Sequence, residues 1–270
     1  MIFGPHQKLV FIGDSVTSCG RRTDAYKPYG NGYVQFARAF LLARYPQLGL
    51  TVENRGAGGS TVRKLADRWN DDAIAEQPDW LAVKIGINDA WFFLSDRLCE
   101  AVAADEYEAT YRQLLAETKQ RTKARVILME PFVVAPPLQG DAAASVSGMA
   151  LDDVRRVYPQ LLADAVAASE VALDEARRAY PHLFERAAPG GDQWEGCQLH
   201  LRALIDERCA IVARLASEFD AVLVRTQAAF DDAARHQPPS YWAIDRIHPG
   251  APGHAVIARA FLRAVGYGDM

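Results

Sequence analysis

Four short polar motifs, three of them directly after an apolar run and one near the C-terminus, contain the groups that acyl transfer needs. Ser15 follows the run Leu9–Gly13, and its hydroxyl could act as a nucleophile once a base removes the proton. Asp245 and His248 are separated by two residues, so a tight turn could bring the carboxylate to one ring nitrogen and leave the other as that base. The side-chain amide of Asn88 could donate to a developing oxyanion. These residue types together predict acyl transfer through a serine.

Each of these residues alone also has an ordinary structural explanation. A serine at the start of a helix is commonly an N-cap, and an asparagine after a strand commonly forms a turn. A single histidine is often only structural, and an Asp-x-x-His spacing also occurs by chance. The catalytic interpretation therefore depends on the motifs occurring together and in order along the chain.

A glycine-rich turn with the sequence NRGAGGST follows the second apolar run and could bring backbone N–H groups close to a substrate oxygen. A dinucleotide-binding GxGxxG motif that begins at Gly56 would need glycine where Thr61 stands. No GxxxxGK[ST] phosphate loop occurs, and Thr17 replaces the last glycine of the GxSxG elbow of α/β-hydrolases. Cys19 with a distant histidine is an alternative nucleophile without a local motif.

Five apolar runs predict the strands that position these motifs, because they are short, mostly continuous and rich in Val and Ile. They are Leu9–Gly13, Leu50–Asn54, Leu81–Gly86, Arg125–Glu130 and Ala221–Arg225. Amphipathic segments between them predict helices, including Tyr33–Tyr45, Tyr107–Lys123 and Gly253–Val265. This alternation predicts an α/β protein with a parallel sheet between helices. The carboxyl ends of the strands would then gather the motifs in one crevice.

The segment 136–199 interrupts this alternation, because it has no strand pattern and is dominated by Ala, Asp and Arg. A helix over Asp152–Tyr158, a second helix from Pro159 to about Arg178 and a loop at 189–191 are predicted there. We expect a helical insertion that leaves the sheet after the fourth strand. Its role stays open between a lid, a wall of the substrate site and an oligomer contact, so a homo-oligomer is also left open.

Composition excludes several other classes of protein. The chain has 270 residues and a formal net charge of −4, which gives no basic surface for nucleic acid or acidic membranes. No apolar run approaches the roughly 20 residues of a membrane span, and no signal-type segment is seen near the start, so a cytoplasmic location is expected. The four cysteines are far apart and predict reduced thiols, and no histidine spacing predicts a metal site. One domain over 1–270 is expected.

The four motifs resemble those of the SGNH hydrolases, also called the GDSL esterases. Ser15 in FIGDSVTSCGR matches the first motif, Gly58-Gly59 the second, Asn88 in IGIND the third, and Asp245 and His248 in DRIHP the last. The resemblance implies a three-layer flavodoxin-like fold with a five-stranded parallel sheet, a Ser15–His248–Asp245 triad and no cofactor. It also implies an oxyanion hole formed by the N–H groups of Ser15 and Gly59 and the amide of Asn88. Gly59 is preferred to Gly58 because the family's glycine lies five residues after the asparagine that ends the second strand.

Within this family, the motifs and the segments beside them are most similar to bacterial acetylxylan esterases. That similarity implies an acetylated sugar as substrate, and Trp91, Tyr241 and Trp242 could then contact the sugar, although ordinary packing explains them equally. The resemblance covers about 8–135 and 200–267 and leaves the insertion outside. A broad-specificity esterase or lipase, a lysophospholipase and a thioesterase remain alternatives, as does a non-catalytic carbohydrate-binding protein.

Overall fold

Five strands form one parallel sheet with the order β2-β1-β3-β4-β5. The computed structural model of the chain describes residues 1–95, 97–135 and 193–268. The strands are β1 (Lys8–Gly13), β2 (Thr51–Gly56), β3 (Trp80–Lys84), β4 (Arg125–Met129) and β5 (Val222–Val224). All four pairings between neighbouring strands are parallel. The strand order and direction confirm the predicted flavodoxin-like α/β fold, with strand limits that differ from the prediction by at most two residues.

The helices of the described residues lie between and after the strands. Before β4 they are α1 (Ser15–Ser18), α2 (Tyr33–Arg44), α3 (Val62–Asp67), α4 (Ile87–Trp91) and α5 (Ala104–Arg121). After β4 they are α6 (Gln193–Glu218), α7 (Thr226–Ala233), α8 (Pro239–Trp242) and α9 (Ala251–Ala264). None of them is both long enough and apolar enough to cross a membrane.

The sheet is covered on both faces because its strands bury alternate residues in two apolar clusters. In β1, Leu9 and Phe11 pack into one cluster with residues of α2, α7 and α9. Val10 and Ile12 pack into the other with residues of α3, α5 and α6. Every one of these four side chains is 0% exposed, which explains why the run in the sequence is continuous instead of alternating.

The strand order reverses at β1, which has β2 on one side and β3 on the other. In open parallel sheets of this kind, the ligand crevice lies outside the carboxyl ends of the strands at that point. The segments that follow β1, β2 and β3 are the ones that carry Ser15, the glycine turn and Asn88. Most of the predicted insertion at 136–199 lies outside the described residues, as do both of its predicted helices. Its last residues belong to α6, which begins at Gln193.

Candidate active site

The structure brings Ser15, His248 and Asp245 into one chain of hydrogen bonds. The Oγ atom of Ser15 lies 3.0 Å from Nε2 of His248. On the other side of the ring, Nδ1 of His248 lies 2.6 Å from Oδ2 of Asp245. When Nδ1 keeps its proton and donates it in a hydrogen bond to the carboxylate, Nε2 is left as an acceptor facing the hydroxyl, so the arrangement can remove the serine proton. The residues come from 233 positions apart in the sequence, at the start of α1 and in the turn before α9.

A tight turn holds Asp245 and His248 in this relation. Oδ1 of Asp245 accepts the backbone N–H groups of Ile247 at 3.1 Å and of His248 at 2.7 Å. Arg246 between them has a positive φ of 71°, which closes the turn, and its carbonyl accepts the N–H of Val134 at 2.9 Å. The carboxylate therefore uses both oxygens, one to fix the backbone and one to orient the imidazole.

Electrostatics in this turn favour the charged form of both side chains. The hydrogen bond from Asp245 raises the pKa of His248 and outweighs partial burial, which acts in the other direction. Burial is the largest single effect on Asp245 and raises its pKa, but hydrogen bonds from the side chain and backbone of His248 together lower it below the usual value. An imidazolium formed during a reaction would therefore be stabilised in place.

The segment that carries Ser15 is fixed by its neighbours in the sequence. Asp14 is fully buried, and its Oδ1 accepts the N–H of Val16 at 3.0 Å, which caps α1. A Cβ at Gly13 would collide with the backbone carbonyl of Lys84, so only glycine allows β1 and β3 to approach this closely. Asp14 therefore supports the turn through a hydrogen bond to the backbone.

Asn88 connects the third motif to the glycine turn. Its Nδ2 donates to the carbonyl of Ser60 at 2.9 Å, and since an amide nitrogen carries two protons, one N–H remains for another acceptor. Gly59, next to Ser60, has a φ of +69°, a conformation that favours glycine, whereas a Cβ at Gly58 would meet nothing within 4 Å. The side chain amide and the turn thus form one hydrogen-bonded unit.

Asp89 supports the same unit from the buried side. Its Oδ1 accepts the N–H of Val62 at 2.8 Å, which joins α4 to the start of α3. Burial raises the pKa of Asp89 to about 7, despite that hydrogen bond and the positive charge of Arg208. Like Asp14, it stabilises a turn of the site.

The three aromatic residues considered for sugar contact differ in exposure. Trp91 ends α4 and is partly buried against the apolar cluster that includes Ile87 and Ile247. Tyr241 is 52% exposed and packs edge-on against Trp242, with ring centroids 4.8 Å apart. Both residues lie in α8, within four positions of Asp245. Tyr241 is thus open to solvent, while Trp91 packs against the apolar cluster.

Two features of the site were missed in the sequence. Lys84 is completely buried at the end of β3, and its Nζ lies 3.7 Å from Oδ2 of Asp14. A lysine within a continuous apolar strand was the available signal. His254 lies in α9 and is only 3% exposed. It contacts Sγ of Cys19 through Nε2 at 3.1 Å.

The hydrogen bonds of His254 bear on the alternative thiol nucleophile. Its Nδ1 accepts the N–H of Tyr33 at 3.2 Å, so the neutral ring carries its proton on Nε2 and donates it to Cys19. Sγ of Cys19 donates in turn to Oδ1 of Asn31 at 3.0 Å. Burial lowers the pKa of His254 to about 4 and raises that of Cys19. The ring is therefore neutral at pH 7 and has no free nitrogen to accept the thiol proton.

Comparison with known proteins decides the family. The model of the GDSL-like lipase/acylhydrolase family matches residues 11–201. The chain belongs to this family. It is 34% identical over 273 residues to an acetylxylan esterase of Geobacillus stearothermophilus, an alignment that covers 99% of this chain and 97% of that one. The protein is thus a carboxylic ester hydrolase, and the predicted family and enzyme class are confirmed.

Solved structures agree with this assignment. The acetylxylan esterase Axe2 of Geobacillus stearothermophilus is 33% identical with a TM-score of 0.70, over 99% of this chain and 98% of that one. LAE5, an α/β hydrolase from the metagenome of Lake Arreo, Spain, is 31% identical with a TM-score of 0.73 over 100% of both chains. Solved variants of Axe2 include catalytic mutants in which a serine, an aspartate or a histidine is replaced by alanine.

The spacing of the residues replaced in Axe2 can be compared with this chain. The aspartate and histidine of those mutants are three positions apart, as are Asp245 and His248. The serine and histidine are 179 positions apart there, against 233 between Ser15 and His248, a difference of 54. This chain therefore has extra length between its first and last motifs, the interval in which the segment 136–199 lies.

Proposed function

We propose that this protein hydrolyses acetyl esters of carbohydrates through a Ser15–His248–Asp245 triad. The observation that carries the proposal is the continuous contact from Ser15 Oγ to His248 Nε2 at 3.0 Å and from His248 Nδ1 to Asp245 Oδ2 at 2.6 Å. The relationship to an acetylxylan esterase supports the choice of acetyl groups on a sugar.

The mechanism follows from these contacts. Ser15 Oγ attacks the ester carbonyl while His248 Nε2 takes its proton, and Asp245 stabilises the imidazolium. The sugar alcohol leaves with that proton, and acetyl-Ser15 remains. Water then attacks the acetyl carbonyl with His248 again acting as the base, which releases acetate and restores the serine. Every proton transfer in this scheme is made by these side chains, so it requires no metal or organic cofactor.

The oxyanion of each tetrahedral intermediate needs hydrogen-bond donors that are already in place. We assign these donors to the backbone N–H groups of Ser15 and Gly59 and to the amide of Asn88. The bond from Asn88 to the Ser60 carbonyl fixes the orientation of the amide, and its second N–H is available for the oxyanion. The positive φ of Gly59 supports choosing it over Gly58, because the turn depends on that conformation.

The solvent exposure of the triad side chains is consistent with an acetyl group that is attached to a larger carbohydrate. The side chains of His248 and Asp245 are 56% and 49% exposed, so an acetyl group that projects from a sugar chain could reach Ser15. Tyr241 is the aromatic residue best placed by its exposure to contact a sugar, with Trp242 and Trp91 as further candidates. The aromatic faces would pack against the apolar face of a pyranose ring.

Acetate release from acetylated xylo-oligosaccharides tests the proposal, with wild type measured beside Ser15→Ala. We expect release by the wild type and its loss in the variant, with an unchanged thermal unfolding midpoint. Comparable release by both proteins would contradict the assignment of Ser15. Cleavage of aryl esters but not of sugar esters by the wild type, dependent on Ser15, would keep the mechanism and contradict the substrate.

The second candidate is a broad-specificity esterase or lipase, a lysophospholipase or a thioesterase, which the breadth of the matching family favours. Acyl chain length separates the two candidates, because an acyl-chain hydrolase binds a long apolar tail. Aryl acetate and aryl butyrate are compared at equal concentrations. A higher kcat/KM for acetate supports the carbohydrate acetylesterase, and a higher value for butyrate or longer chains supports the alternative.

A further inference from the structure

Lys84 is a fully buried cation next to the segment that carries Ser15. It ends β3 and pairs in register with Gly13, the residue before Asp14. Among the residues that the structure describes, its Nζ has no hydrogen-bond partner and lies 3.7 Å from Oδ2 of Asp14, which has none there either. Both side chains are 0% exposed. The nearest compensation for each buried charge is therefore the other.

The surroundings of Lys84 are costly for a positive charge. Burial lowers the pKa of Lys84, and Asp14 opposes that effect. Other groups near the ammonium are the ring of Phe132, with its centroid 4.7 Å from Nζ, and the thiol of Cys209 in α6, and the charge of Lys84 also acts on His248 and His254. A ring face and one carboxylate are weaker partners than the water they replace. Within the described part of the chain, these groups are the partners of the Lys84 ammonium. So costly a buried charge indicates that Lys84 has a role in the site beside it.

Asp14 connects Lys84 to the backbone that carries the nucleophile. One carboxylate oxygen caps α1 through the N–H of Val16, and the other faces Lys84. Since Ser15 lies between Asp14 and Val16, the two contacts fix the backbone on both sides of it. The pair also acts on the base: Asp14 raises the pKa of His248 and Lys84 lowers it, while Asp245 has the largest effect.

We propose that Lys84 is a positioning residue of this esterase, which holds Asp14 and thereby the backbone of Ser15, and whose charge offsets that of Asp14 at His248. The proposal rests on the proposed Ser15–His248 mechanism. A hydrophobic side chain of similar length could fill the same space at a lower desolvation cost. The presence of a lysine is explained if the balance of the two charges serves the reaction.

Three variants test this proposal: Lys84→Met, Asp14→Asn and the double variant. Initial rates on an aryl acetate are measured across pH for each, and thermal unfolding gives the folded fraction. We expect Lys84→Met to lower kcat by about tenfold or more with little change in KM. The acid limb of its pH–rate profile should move to higher pH by roughly half a unit, because Asp14 then raises the pKa of His248 without the opposing effect of Lys84. Asp14→Asn should move the limb downward.

The double variant separates charge from folding. Asparagine can still accept the N–H of Val16, and a neutral pair has no uncompensated buried charge. We therefore expect the double variant to recover part of the kcat lost in Lys84→Met and to return the acid limb close to that of the wild type. If Lys84→Met alone is too unstable to assay, the acid limb of Asp14→Asn, expected at lower pH than that of the wild type, is compared with that of the double variant, expected close to the wild type.

Lys8→Met is the matched control. Lys8 is also paired with a carboxylate, that of Glu76, but it begins β1 at the opposite end of the parallel sheet. The control should leave kcat and the acid limb unchanged. The proposal is overturned if Lys84→Met has the kcat and the acid limb of the wild type. It is also overturned if the double variant is no faster than Lys84→Met and its acid limb stays where that of Lys84→Met lies. Ser15→Ala in the same assay identifies failure of the mechanism itself, because only then would that variant remain active.

Discussion

Asn88→Ala should raise the free energy of the transition state by more than it lowers the free energy of unfolding. The variant loses one donor to the oxyanion, a loss that costs roughly 2.7–4 kcal/mol in the transition state, or about a hundredfold to a thousandfold in kcat. It also loses the 2.9 Å bond to the Ser60 carbonyl, and leaving that buried acceptor unpaired costs about 1–3 kcal/mol of stability. Asn88 is 8% exposed, so the carbonyl has little access to replacement water. Initial rates on an aryl acetate and chemical denaturation measure the two effects separately.

Ser60→Ala is the control for a loosened turn. It removes the hydroxyl that donates to the Ala57 carbonyl at 2.9 Å and keeps the backbone carbonyl that Asn88 contacts. We expect a small loss of stability and little change in kcat. An unchanged kcat in Asn88→Ala would remove its amide from the oxyanion hole. Equal losses of kcat in both variants would show that the turn, and not the donor, accounts for the effect.

Three other results are expected. Asp245→Asn should lower kcat by at least about a hundredfold and move the acid limb of kcat/KM to lower pH, because Asp245 raises the pKa of His248. In the wild type, the limb should lie above pH 6.5, the usual pKa of histidine, since His248 must be unprotonated to act as the base; a limb below it would contradict the assignment. Gly59 has a φ of +69°, so Gly59→Ala should cost about 1–2 kcal/mol of stability and lower kcat, whereas Gly58→Ala should resemble the wild type. A larger loss of kcat in Gly58→Ala than in Gly59→Ala would assign the oxyanion donor to Gly58.

The strands and the motifs at their carboxyl ends could be predicted from the sequence because both depend on local patterns. Strands of a parallel sheet that are buried on both faces are near-continuous apolar runs, and the five runs found in the sequence all correspond to strands of the observed sheet. The spacing of Asp245 and His248 predicted their contact, since three residues of a turn determine it.

Contacts between distant segments could not be predicted in this way. The pairing of Lys84 with Asp14 depends on the register of β1 against β3, which no single segment determines. The contact between Cys19, which follows α1, and His254 in α9 likewise depends on packing between segments far apart in the sequence. In both cases, the sequence shows a polar residue in an apolar setting, and only the packed structure shows which partner it has.

Trapping the acyl-enzyme tests the central claim most directly. The wild type is mixed with an aryl acetate, quenched in acid during turnover and digested, and the acetylated residue is identified by mass spectrometry. We predict acetyl-Ser15 in the wild type and no acetyl peptide from that segment in Ser15→Ala. An acetyl group found on Cys19 instead, or steady turnover by Ser15→Ala, would contradict the proposed mechanism.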